Sequence, residues 1–287
     1  MAQKKISELT ELIAAASAND EFIVNNGGAT KKIKASLLAD SIVKLFAENG
    51  GAGLHNSLFR GKNLGNSYTA AQKAQVKAGT FNDLWIGDYW VIGGITWRIA
   101  HFDYWLHCGD TEECTKHHIV IVPDTCLYNA NMNDANITTG AYVGSKMYKE
   151  NLASAKTTIN NAFGAANILT HREVLANATS ATTDPSYESA MSWYDSTVEL
   201  MNERMVYGAD VFHNIEVNGG IPQNYTINKS QLALFRLDQS KICNRAGWWL
   251  RDVVSSAYFA VVAIDGDAAY LGASLVFGVR PAFGITA

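Results

Sequence analysis

Five residue types vanish from the end of this chain. After Arg251 there is no Lys, Glu, Gln, Met or Trp, although these types make up about a sixth of the 287 residues. Cysteine is sparse, and Cys108, Cys114, Cys126 and Cys243 are too few for a disulfide scaffold. Four prolines beside 23 glycines fit a turn-rich fold rather than a disordered chain. No run approaches the roughly 18 apolar residues of a membrane span, so no membrane insertion is expected. The opening MAQKKISELTELIAAASANDEF has a short apolar run interrupted by Glu8 and Glu11, which does not read as a secretion signal. A net charge of −4 gives no general attraction to nucleic acid or anionic lipid.

Catalytic signatures are missing as well. There is no GxSxG, HExxH, P-loop or dinucleotide fingerprint. GGATKKIKAS has glycines and lysines without the P-loop spacing. The acidic pairs Glu112-Glu113 and Asp265/Asp267 sit in turn-like contexts that solvation explains better than acid–base work. His171 has no nucleophile tied to it by a motif. The stretch LHCGDTEECTKHH gathers His107, Cys108, Cys114, His117 and His118, all of zinc-ligand type. Its spacing matches no finger or ribbon, and GDTEE reads as an exposed turn, so the expectation is a hairpin tip with its cysteines reduced or paired to each other. The chain is expected to be no enzyme and to need no cofactor or metal.

What is present is a core and a division of labour. Hydrophobic residues at 48% and charged residues at 17% describe a globular protein. Residues 1–46 stand apart: DEFIVNNGGATKKIKA reads as a hairpin about Gly27-Gly28. ASLLADSIVKLF then places Leu37, Leu38, Ile42, Leu45 and Phe46 largely on one helical face, with Ser36 as N-cap. This unit is too small for its own core, so it is expected to oligomerise; packing on its own main domain is the alternative. AENGGAGLHN reads as a linker or sharp connection over residues 47–56.

Residues 57–287 form the main domain. YTAAQKAQVKAGTF reads as a helix ending at Gly79, and DYWVIGGITWRIAHFDYWL as a hairpin about Gly93-Gly94. HHIVIVPD reads as a buried strand stopped by Pro123. GSKMYKENLASAKTTINNAFG reads as a helix from near Ser145 to Gly164, and SYESAMSWYDSTVELMNERMVYG as a second one. Helices and hairpins without regular alternation predict an α+β fold.

The closing segment carries the functional reading. WWLRDV, AYFAVVAIDGDAAYLGAS and GVRPAF resemble the variable region of proteins targeted by diversity-generating retroelements. Upstream, MNDANITTGAYVGSKMY, SWYDSTVELMNERMVYG, SQLALFRL and ICNRAGWWLRDV resemble the scaffold of phage-encoded members from gut bacteria. Residues 1–46 resemble N-terminal segments of phage tail-fibre proteins. In that family a reverse transcriptase copies a template repeat and substitutes bases at adenines, typically within AAC codons. Codons ending in C never encode Lys, Glu, Gln, Met or Trp, the types absent after Arg251; an apolar strand would also avoid three of the five. Trp248 and Trp249 therefore belong to the frame.

The resemblance implies a C-type lectin-like domain with a variable region about residues 244–287. Trp249 and Leu250 would be buried. Arg251, Asp252 and Arg280 would hold loops through charge-assisted hydrogen bonds, Gly266 and Gly278 would permit tight turns, and Pro281 would fix its own backbone. The implied ligand-binding residues are Arg245, Tyr258, Val261, Ala263, Ile264, Asp265, Asp267, Ala269, Tyr270, Leu271, Leu275 and Phe277. Filling the core is the alternative role for each, most of all for Val261. No Glu-Pro-Asn or Gln-Pro-Asp motif is present, which speaks against calcium-dependent sugar binding. Cys243 stands alone near the C-terminus, unlike the cysteine pair of the formylglycine-generating enzymes, which share the fold. The implied protein is a homotrimeric receptor-binding tip on a phage tail fibre, located on the virion. Its expected partners are other tail-fibre proteins and a bacterial host surface protein or glycan. A bacterial surface adhesin, or a polysaccharide-degrading enzyme with paired carboxylates, is the alternative.

Overall fold

Glycines mark several of the places where this chain reverses, Gly28, Gly93-Gly94 and Gly266 among them. The computed structural model describes residues 17–26, 28–180, 188–212 and 230–287. They form a mixed α+β protein that divides into Met1–Asn49 and Gly50–Ala287.

In the first unit, β1 (Glu21–Asn26) and β2 (Ala29–Lys34) pair antiparallel from Glu21↔Lys34 to Asn26↔Ala29. Gly28 takes the positive φ of 80° that the turn requires. The helical stretch α1 (Ala35–His55) opens at Ala35, whose N–H donates to the Asp20 carbonyl at 2.8 Å. Ser36 thus lies inside the first turn rather than capping it. Leu37 and Ile42 are exposed; the side chains of Leu45 and Phe46 lie outside the described residues.

Of the linker or sharp connection expected over residues 47–56, the structure has the sharp form: the stretch is helical to His55 but broken at Gly51, with φ 52° and ψ −157°. One glycine absorbs the whole break, in a conformation other residues rarely reach. Its neighbours, several of them good helix formers, stay helical.

In the second unit, α2 (Ala70–Ala78) has a capping box of Thr69 and Gln72 and ends on left-handed Gly79. The strands β3 (Tyr89–Ile92) and β4 (Ile95–Phe102) turn at Gly93-Gly94, as the sequence predicts. They lead to the fully buried β5 (Ile119–Pro123). After β6 (Tyr128–Ala130) come the short α3 (Ala141–Gly144), a π-turn at Met147–Asn151 and α4 (Leu152–Phe163). The expected helix is therefore present: Ser145 is extended, with ψ 154°, its hydroxyl accepts the Tyr148 N–H at 3.2 Å, and the chain is helical from Met147 through the π-turn to Phe163, ending at Gly164.

The second expected helix is a strand. β7 (His171–Thr179) pairs with β8 (Glu188–Ser196) from His171↔Ser196 to Thr179↔Glu188, and β9 (Val198–Leu200) follows. Pairing with β7 overrides the local helical appearance. Only α5 (Glu203–Tyr207) stays helical, capped by Asn202, which accepts the Met205 N–H at 2.8 Å. After α6 (Ala233–Leu237), the chain ends in β10 (Trp248–Val253), β11 (Tyr258–Val262), β12 (Ala268–Gly272), β13 (Phe277–Val279) and β14 (Pro281–Ile285).

Two five-stranded sheets result, in the orders β3-β4-β5-β14-β9 and β12-β11-β10-β13-β6. The first holds the heart of the core, where Trp97 packs edge-on against Phe163 and Phe283, each at 5.7 Å. The second carries most of the closing segment, with β12 at one edge.

Candidate functional site

The frame of the closing segment is buried and tied down. Trp248 and Trp249 are fully buried, and the Trp249 indole N–H donates to the Ala130 carbonyl at 2.8 Å, joining β10 to β6. The Arg251 guanidinium donates to Glu173 on β7 at 2.9 Å. Asp252 accepts the Glu203 N–H at 2.6 Å and fixes the start of α5. Arg280 donates to the carbonyls of Pro123 at 2.8 Å and Lys241 at 2.9 Å. Its guanidinium also lies 5.0 Å from the Trp248 ring centre. Complete burial pushes Arg280 down to about 10.

The glycines of this frame are places of close approach. A Cβ on Gly247 would collide with the Phe277 ring, and one on Gly278 with Cys126. Gly266, at φ 93°, closes the β11–β12 turn against Cys243.

Register sorts the remaining side chains. β11 and β12 pair Tyr258↔Gly272, Ala260↔Tyr270 and Val262↔Ala268. Side chains two residues apart share a face, so Tyr258 and Tyr270 are diagonal neighbours on one side. Their ring centres are 5.4 Å apart, and both rings are exposed, at 41% and 47%. The turn beyond raises Ile264, Asp265 and Asp267 into solvent, with Ile264 64% exposed. Arg245 is exposed on the segment before β10, and Leu275 on the loop before β13.

The opposite face belongs to the core. Val261 is 1% exposed, opposite Trp249 on one side and Ala269 on the other. A central strand covered on both flanks leaves it no route to solvent, so Val261 is a core residue and not a display position. Ala269, Leu271 and Phe277 are half-buried and pack against the core; the Phe277 ring meets Trp249 edge-on at 5.8 Å. Ala263 is also half-buried.

Two features were missed in the sequence. Val276 is 66% exposed beside Leu275, because the loop turns both side chains outward. Phe212 comes from a distant part of the chain and extends the aromatic row, its ring 5.2 Å from Tyr270 at an interplanar angle of 79°. The buried Glu203 carboxylate accepts the backbone N–H groups of Val211 at 2.7 Å and Phe212 at 3.0 Å, so this apolar pair, Val211 exposed and Phe212 half-buried, is held firmly. No pattern in the closing segment points to it.

The other candidate groups have structural employment. His118 is buried; its Nε2 accepts the Trp105 N–H at 3.0 Å, its Nδ1 contacts the Lys116 carbonyl at 2.9 Å, and burial pushes it down to about 3. His117 pairs with Asp103 at 2.7 Å, and His107 with Glu113. His171 stacks on Trp105 at 4.0 Å, its Nε2 3.4 Å from Glu173. Glu112 and Glu113 lie in the turn between Cys108 and Cys114. Among the described residues, no group of three or more His, Cys, Asp and Glu side chains could hold a metal ion.

Beneath the frame, Tyr142 donates to Glu199 at 2.8 Å. Burial, followed by the nearby Glu173 carboxylate, pushes Glu199 up to about 7. Among the described residues, no helix is long and apolar enough to cross a membrane. Comparison with family models, with curated proteins and with solved structures finds no match.

Proposed function

We propose that this chain is a non-enzymatic receptor-binding protein of the phage tail-fibre type, a variable protein of a diversity-generating retroelement. Its second unit is a C-type lectin-like domain that presents retroelement-written residues to a molecule on the bacterial surface. The observation that carries this reading is the partition of the closing segment. Trp248, Trp249, Arg251, Asp252 and Arg280 are buried and bonded, while Arg245, Tyr258, Ile264, Asp265, Asp267, Tyr270 and Leu275 are exposed between them. Exposed rings and aliphatic side chains gathered on a soluble protein form the usual anchor set of an interface. The exposed Leu37 and Ile42 of α1 support a homotrimer built through the first unit, and three copies of each face add avidity to weak single contacts.

Adsorption of the purified chain to a panel of intact gut-bacterial cells tests the reading, with Tyr258→Asn and Tyr270→Asn forms alongside. Loss of an aromatic anchor costs about 2 kcal/mol or more, so each variant should bind about 30-fold more weakly to any strain the parent recognises. Equal adsorption by parent and folded variants would remove this face from recognition.

A further inference from the structure

The turn between the first two cysteines is built as a matched pair. His107 donates its N–H to the Cys114 carbonyl at 2.8 Å, and Cys114 donates its own to the Cys108 carbonyl at 2.9 Å. His107 has φ 64°. The two bonds, with His107 left-handed, hold the backbone of Cys108 against that of Cys114. The bond from the Cys114 N–H to the Cys108 carbonyl keeps the two backbones in contact, as a disulfide, whose Cα atoms stand roughly 4.4–6.8 Å apart, requires.

The thiols also lean the same way. Cys108 Sγ points to the Leu106 carbonyl at 3.9 Å and Cys114 Sγ to the Lys116 carbonyl at 3.8 Å, both on the side away from the turn. Both residues are buried. From outside, the turn is pinned by Asp110, which accepts from Arg172 at 2.8 and 3.0 Å. Cys126 and Cys243 are placed differently: Cys126 packs at Gly278, and Cys243 is exposed beside Ile264.

We propose that Cys108 and Cys114 form a modification site, a dithiol that closes to an intrachain disulfide when the protein meets a small-molecule disulfide such as oxidised glutathione. One cysteine thiolate attacks a glutathione sulfur, breaks its S–S bond and releases one glutathione thiolate. The other cysteine then attacks the mixed disulfide, forms the Cys108–Cys114 bond and releases the second glutathione. The two cysteines are oxidised, the glutathione disulfide is reduced, and the two thiol protons end on the released glutathiones. Burial, with a lesser contribution from Asp103, raises the Cys114 thiol, so the exchange is slow. The bond would persist in the oxidising surroundings outside a cell.

The test uses the full chain incubated with oxidised glutathione until modification reaches a plateau, followed by alkylation of remaining thiols and cleavage after glutamate. Cleavage at Glu112 or Glu113 cuts inside the turn. The expected result is two fragments that stay joined until a reductant is added, the pair being about 2 Da lighter than its dithiol. In a Cys108→Ser form, Cys114 should end as a thiol or as a glutathione adduct. The proposal is overturned if Cys108 and Cys114 are both recovered alkylated, if each carries its own glutathione, or if either is found joined to Cys126 or Cys243.

Discussion

Three substitutions in the closing segment should fall in a defined order of stability. Trp249 is fully buried, and its indole N–H holds the Ala130 carbonyl. Trp249→Ala opens a large cavity, which costs about 3–5 kcal/mol, and strands that carbonyl, which adds about 1 kcal/mol. Phe277 is half-buried over Gly247 and edge-on to Trp249. Phe277→Asn loses that contact and places an amide at the rim of the core, for about 2 kcal/mol. Tyr270 is nearly half exposed, and its ring touches those of Phe212 and Tyr258. Tyr270→Asn should cost about 1 kcal/mol, the worth of those edge contacts. At about 2–4 °C per kcal/mol for a domain of this size, thermal melts should drop by about 3 °C for Tyr270→Asn, about 6 °C for Phe277→Asn and 10 °C or more for Trp249→Ala. Circular dichroism melts on the three variants read this directly. A Tyr270→Asn melt as low as that of Trp249→Ala would refute the division into frame and display, because it would make Tyr270 part of the core.

Glu199, normally near 4.5, is pushed up to about 7 in the fold, so its protonated form is favoured there and its contribution to stability is complete below about pH 4.5 and lost as pH rises through about 7. Glu173 goes the other way, held down to about 2 by the Arg251 charge against the effect of burial, so it is silent between pH 5 and 8. Denaturant titrations should show the parent losing about 2–3 kcal/mol across that interval, with Glu199→Gln much flatter; identical slopes would count against it. Gly247→Ala should destabilise by about 1–3 kcal/mol by displacing the Phe277 ring, and an unchanged denaturation midpoint would show that the ring can move freely. Light scattering of the full-length chain at micromolar concentration should report a trimer, and a monomer would end the proposed role of residues 1–46.

The legible parts of the fold were those written in local chemistry. Gly93-Gly94 between β-branched and aromatic runs could only be a hairpin, and Gly79 could only end a helix. β8 was illegible because ESAMSWYDS has neither strict alternation nor a turn signal of its own; it is a strand through its pairing with β7. The glycines around Gly51 left a linker and a sharp connection both open; in the fold one permissive residue makes the sharp break and the residues about it stay helical.

At the candidate site, the roles of the frame residues were legible through the family resemblance rather than from residue type, since Arg and Asp are ordinarily exposed and here are buried only as bonded partners. The expected ligand-binding positions that are exposed lie on one side of β11 and β12, Tyr258 and Tyr270, and in the turns and loops around them, Arg245, Ile264, Asp265, Asp267 and Leu275. Val261 belongs to the other side, and nothing in AYFAVVAID distinguishes the two faces. Phe212 could not be found at all, since only the folded chain brings it beside Tyr270.

The central claim is that the exposed positions are written by a retroelement into a fixed frame, and sequencing the DNA flanking the gene tests it most directly. The account predicts a second, imperfect copy of the codons for about residues 244–287, beside a reverse-transcriptase gene. That copy should differ from the gene at adenines in the codons of Arg245, Tyr258, Ile264, Asp265, Asp267, Tyr270 and Leu275, and match it at Trp248, Trp249, Asp252 and Pro281. No such copy, or one whose differences fall on the frame codons, would contradict it.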